Sequence, residues 1–129
     1  LEEKMLHTKK VVVVDDDEKV ITLIEKILIK NGFQVFSALE GQKALELVRR
    51  EKPDILITDI LLPGIDGVEL CKAVKHNPET TDIKVILITG VYNQASFQLE
   101  MNCRADGFIE KPIDINKLSR LVNEKMNQS

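Results

Sequence analysis

Apolar and polar positions alternate along this chain in two rhythms. Short apolar runs, mostly β-branched or aromatic, occur at 11–14, 33–37, 55–58, 85–89 and 107–109, and their length and composition predict five strands. Between the first two runs, Val20, Ile21, Leu23, Ile24, Ile27 and Leu28 recur at helical spacing, and Asn31-Gly32 supplies a stop because Gly accepts the left-handed conformation that closes a helix. The same spacing returns in Ala44, Leu45, Leu47 and Val48, in Val68, Leu70, Cys71 and Val74, and in Ile115, Leu118, Leu121 and Val122. After Thr89 the pattern changes: Ala95, Phe97, Leu99 and Met101 alternate with period two, and only the order of the surrounding elements argues for a helix.

Five strands each followed by a helix imply a parallel sheet covered on both faces, since parallel neighbours need right-handed crossovers. The fold class is α/β, a doubly wound (βα)5 unit. The runs VVVV and ILIT are apolar on both faces, as a doubly covered sheet requires, and are expected at the centre. No repeat, low-complexity stretch or linker divides the chain, so one domain over 10–127 is expected after a short N-terminal tail, 1–9. In such sheets ligands bind beyond the carboxyl ends of the strands, where strand order reverses.

At those ends stand Asp15, Asp16 and Asp17 after the first strand, Asp59 after the third, Thr89 after the fourth and Lys111 after the fifth. Carboxylates that converge in one pocket repel one another unless a cation binds or a proton is retained. An all-oxygen acidic cluster with room for water suits Mg²⁺. Lys111 can counter the remaining charge, Thr89 can donate its hydroxyl to a phosphoryl oxygen, and a carboxylate beside a divalent ion can accept a phosphoryl group. Taken singly, each has an ordinary structural role: Asp17 fits a helix cap, Thr89 a strand, and Lys111-Pro112 a turn. The combination is what points to chemistry.

Composition narrows the field. The 129 residues are 43% hydrophobic and 30% charged, ordinary for a globular domain, and the net charge of −3 argues against a nucleic-acid-binding surface, which needs clustered cations. Cys71 and Cys103 are far apart in sequence, without a CxxC pattern or a neighbouring His to complete a zinc site, and read as free thiols in a reducing compartment. No apolar stretch approaches a membrane span and LEEKMLHTKK has no apolar signal core, so a cytoplasmic location is expected. His7 and His76 read as solvated surface groups without a role.

VVVVDDD, DILITDILLPGIDG, VILITG and GFIEKP, in that order, resemble the response-regulator receiver family of two-component signalling, typified by the bacterial chemotaxis regulator. The resemblance runs from Lys10 to the last helix. It implies the flavodoxin-like strand order 2-1-3-4-5 and a domain that accepts a phosphoryl group on Asp59 from a phosphohistidine on a sensor histidine kinase or histidine phosphotransfer protein. It further implies Mg²⁺ held by Asp16 directly, Asp15 through water, Asp59, and the backbone carbonyl of Leu61. Thr89 and Lys111 would contact the phosphoryl group, with Lys111-Pro112 cis, and Phe108 would be the aromatic ring that turns inward when Thr89 moves. Such a domain is a signalling phosphoacceptor whose only chemistry is its own phosphorylation and dephosphorylation.

Some positions depart from the family's habit. Phe108 stands where the chemotaxis type has Tyr, Gly90 follows the threonine, and Ile113 follows Pro112; none removes a catalytic group. Leu61 and Val91, two positions beyond Asp59 and Thr89, are apolar where similar receivers tune the attack of water, which implies a long-lived phosphoryl state. A partner or homodimer surface is expected on the 92–127 face, where Phe97, Leu99 and Met101 offer apolar side chains; core packing of these three is the alternative. A receiver-like interaction module without phosphorylation remains a second reading. A haloacid-dehalogenase-type phosphatase fits poorly, because Lys19 stands where its D-x-D-x-T/V motif needs Thr or Val. A flavodoxin fits worse, since three aspartates stand where a phosphate must be held.

Overall fold

The computed structural model describes residues 8–90 and 93–128; most of the expected tail, His7 and Val91 lie outside them. Five strands, β1 (Lys10–Val14), β2 (Gln34–Ala38), β3 (Ile55–Asp59), β4 (Lys84–Thr89) and β5 (Gly107–Glu110), alternate with five helices, α1 (Glu18–Lys30), α2 (Gly41–Glu51), α3 (Gly67–His76), α4 (Gln94–Cys103) and α5 (Ile115–Met126). All strand pairings are parallel and the order is β2-β1-β3-β4-β5, as expected. The order reverses between β1 and β3, whose register pairs Val14 with Thr58.

The period-two alternation of the strands sorts their side chains into two layers. Val12, Val14, Leu56, Val85 and Leu87 meet α2, α3 and the end of α4, while Val11, Val13, Ile55, Ile57, Ile86 and Ile88 meet α1 and α5. Because both layers exclude water, the interiors of β1, β3 and β4 are buried residue after residue, which is why their sequences are unbroken apolar runs.

Local chemistry sets the helix ends. Asp17 caps α1 by accepting from the Lys19 amide at 2.9 Å, and Asp66 caps α3 by accepting from the Glu69 amide at 2.8 Å. α1 ends at Asn31, followed by Gly32 at φ 90°, a conformation that only glycine adopts without strain. His76 closes α3 on the surface, as expected.

α4 is a helix despite its period-two pattern. Ala95, Phe97 and Leu99 are exposed, as is Met101, and Ser96 and Cys103 turn inward. The apolar residues of this segment are therefore surface groups rather than core, and their spacing carries no information about which side faces the sheet.

Two tight contacts fix α3 over the sheet. A Cβ on Gly67 would overlap the Asp59 carbonyl oxygen, and the Gly67 amide donates to the Ile60 carbonyl at 2.8 Å. Farther along the helix, buried Lys75 donates to the Ile83 carbonyl at 2.9 Å and pairs with Asp106 at 2.6 Å, while Asp106 also accepts from the Val85 amide at 2.8 Å. The buried ammonium is thus both paired and hydrogen-bonded, the condition under which such a charge is tolerated. Gly67→Ala must push α3 off the end of β3; denaturant unfolding is expected to show a loss of about 1–3 kcal/mol.

Candidate functional site

The carboxyl ends of β1, β3, β4 and β5 come together at one edge of the sheet. Asp15 follows β1 directly and is fully buried; Asp59 is the last residue of β3 and is 7% exposed. Asp16 lies on the solvent side, and one carboxylate oxygen from each of Asp15, Asp16 and Asp59 lies within 4.8 Å of the others. The three residues expected to carry the acidic cluster are therefore brought together. Asp17 points away into its capping role.

Lys111 reaches the cluster from beyond β5. Its Nζ donates to Asp59 Oδ2 at 2.9 Å and lies 3.0 Å from Asp15 Oδ2. The second contact is an ion pair without hydrogen-bond alignment: among the described residues, no donor is aligned with that buried oxygen. Burial alone would lower the Lys111 pKa, but the hydrogen bond to Asp59 and the ion pair with Asp15 outweigh it and raise it, so the ammonium stays charged. The Lys111-Pro112 peptide is cis, as expected.

Each carboxylate is further held by backbone. Asp15 Oδ1 accepts from the Asp17 amide at 2.8 Å, and Asp59 Oδ1 accepts from the Leu61 amide at 3.2 Å. Thr58, buried beneath the site, donates its hydroxyl to the Asp59 carbonyl at 2.9 Å. Burial is the main influence on Asp15 and raises its pKa; the Asp17 amide and Lys111 oppose this, and the Asp59 charge adds to it. Three carboxylates against one ammonium leave two negative charges in a partly buried site, a balance that a divalent cation fits. The ligand atoms are hard oxygens, which suits Mg²⁺.

Thr89 ends β4, half-buried, and its carbonyl accepts from the Lys111 amide at 2.7 Å, so the two residues are neighbours across β4 and β5. Phe108 pairs in register with Leu87 on β4 and packs half-buried against the α2–α3–α4 layer. Thr89 and Phe108 lie on the same side of the sheet by strand alternation. Leu61 follows the site as a 79% exposed apolar side chain.

Sequence reasoning assigned no role to Gly67 or Thr58, which position Asp59 through its carbonyl. Gly67 carries a signal in hindsight: a glycine directly after a capping aspartate, where most helices take a residue with a side chain. Thr58 carries none, because threonine is at home in any strand.

A family model for the response regulator receiver domain matches residues 11–123. Solved structures agree in fold. A protein described as a response regulator from Chloroflexus aurantiacus is 30% identical, with a TM-score of 0.90, 95% of this chain covered and 100% of that one. A response regulator receiver domain protein (CheY-like) from Methanospirillum hungatei is 26% identical, with a TM-score of 0.88 and coverage of 95% and 96%. The signal receiver domain of a signal transduction histidine kinase from Syntrophus aciditrophicus is 27% identical, with a TM-score of 0.86 and 95% of each chain covered. Motif order, strand order, strand-end chemistry and family match converge: this chain belongs to the response regulator receiver domain family, a family of signalling domains rather than classical enzymes.

Proposed function

We propose that this domain accepts a phosphoryl group on Asp59, with Mg²⁺ bound at the acidic cluster, from a phosphohistidine on a sensor histidine kinase or histidine phosphotransfer protein in the cytoplasm. The observation that carries the reading is the Lys111 ammonium on Asp59 Oδ2 at 2.9 Å inside a cluster of three converging aspartates. The unit that does this is 10–127, with 1–9 as a tail.

Asp16, Asp59 and the Leu61 carbonyl would hold Mg²⁺ directly, and Asp15 through water. When bound, the ion supplies positive charge beside the oxygens of the group being transferred. Lys111 and the Leu61 amide hold the Asp59 carboxylate in a fixed orientation. An Asp59 oxygen adds to phosphorus as the P–N bond of the phosphohistidine breaks; the imidazole keeps the bonding pair and takes a proton from water. Lys111 remains beside the phosphoryl group to offset its charge, and the Thr89 hydroxyl donates to one of its oxygens. Thr89 moving toward that oxygen leaves space on its side of the sheet for Phe108 to turn inward, changing the face that carries α4, β5 and α5. That face would bind an output partner or a second copy of the chain.

Incubation with acetyl phosphate followed by intact-mass measurement tests this. One phosphoryl group is expected, requiring both Mg²⁺ and Asp59, and absent from Asp59→Asn. No gain, under conditions that modify a control receiver, would favour the interaction module.

The raised Asp15 pKa has a sign that can be checked. Unfolding returns Asp15 to its ordinary value of 3.8, so the folded state binds the extra proton between the two values and stability is lost as pH rises through the folded pKa. Without Mg²⁺, Asp15→Asn is therefore expected to raise Tm at neutral pH, an advantage that vanishes below about pH 4. Thermal unfolding followed by circular dichroism in a chelator, at both pH values, reads this out. The exposed Leu61 side chain cannot orient a hydrolytic water; Leu61→Asn is expected to speed loss of the phosphoryl group on the order of tenfold, measured as decay of the phosphorylated mass.

A further inference from the structure

Cys71 and Cys103 are 32 residues apart in sequence and touch in the fold. Cys71 lies within α3 with no exposed surface, and Cys103 is the last residue of α4, 1% exposed. Both are free thiols. The Cys71 thiol donates to the Cys103 carbonyl at 3.2 Å and shares a hydrogen bond with the Cys103 thiol.

The contact lies where α4 meets α3, and most of the described side chains of α4 are exposed. Among its described side chains only Ser96 and Cys103 are buried, and Cys103 meets α3 through Cys71. A segment with so few buried apolar contacts opens locally at low free-energy cost. Cys103 is the last residue of α4, followed by Arg104 in the left-handed conformation at φ 60°.

We propose that Cys71 and Cys103 form a dithiol that hydrogen peroxide oxidises to a disulfide, stapling α3 to the end of α4. The inference is independent of phosphorylation at Asp59. Cys103 is the attacking sulfur: its hydrogen bond with Cys71, opposed by burial and aided by the Ala105 amide, holds its pKa down to about 7, whereas Cys71 is pushed up. Cys103 Sγ attacks one peroxide oxygen and the O–O bond breaks. Cys103 becomes a sulfenic acid, and the departing hydroxide leaves as water with the thiol proton. Cys71 Sγ then attacks the sulfenic sulfur; the S–S bond forms, the S–O bond breaks, and the second oxygen leaves as water with the Cys71 proton. Two thiols lose two electrons and two protons, and one peroxide is reduced to two waters.

The test treats the folded chain with a small excess of hydrogen peroxide, blocks remaining thiols with an alkylating agent under denaturing conditions, and measures intact mass and peptide maps. The expected product lacks two hydrogens, takes no alkylating agent, yields a peptide pair joined through Cys71 and Cys103, and reverts with dithiothreitol. In Cys71→Ser, which lacks the resolving thiol, the same treatment leaves Cys103 carrying one added oxygen. Full alkylation after peroxide, over-oxidation without a joined peptide pair, or a disulfide only between two chains would each overturn the proposal.

Discussion

The mutual repulsion of Asp15, Asp16 and Asp59 is the constraint around which this domain is arranged. Carboxylate oxygens held within 4.8 Å of one another need compensating charge. Lys111 supplies one positive charge; burial raises the pKa of Asp15, and the Asp59 charge pushes it the same way. Left to itself the cluster would spread apart. Its confinement is the work of the sheet, because Asp15 and Asp59 stand at the ends of adjacent strands whose preceding residues are fully enclosed. The site therefore holds electrostatic strain against a rigid support, and added cationic charge is what relieves it.

The same support is graded across the molecule. β1, β3 and β4 are buried on both faces, and α3 is fastened at one end by the close approach of Gly67 to Asp59 and at the other by the Lys75–Asp106 pair. α4 presents Phe97, Leu99 and Met101 to solvent and meets α3 at its end, through Cys103 and through Arg104, which donates to the Lys75 carbonyl at 3.2 Å. Tight elements hold the aspartates in place, and α4, whose described side chains are mostly exposed, follows Thr89 in the chain. A domain of this kind can keep its chemistry fixed while a neighbouring surface changes, since the free energy needed to shift a segment scales with the contacts it must break.

Several polar groups in and around the core position their neighbours. Thr58 satisfies the Asp59 carbonyl, and Asp106 receives both Lys75 and the Val85 amide. Hydrogen bonding of this kind lets buried polar atoms define geometry without leaving unsatisfied groups. Asp17 is similar at the surface, since capping α1 turns it away from the cluster that its neighbours form.

What the sequence determined by itself was local. Apolar runs marked every strand to within about a residue or two of its ends, as boundaries generally allow, and helical spacing marked four helices. The residues at the strand ends named the acidic cluster and its lysine, because a parallel sheet must place them at one edge. What only the tertiary structure decided depends on contacts between distant segments. The period-two pattern of Ala95, Phe97, Leu99 and Met101 could not reveal a helix, since a helix that buries almost nothing has no apolar face to show. The meeting of Cys71 with Cys103, the fit of Gly67 against Asp59 and the pairing of Lys75 with Asp106 have no trace in local pattern either. Periodicity records which side of an element is buried; which residue of another element it touches is set by how the helices pack on the sheet.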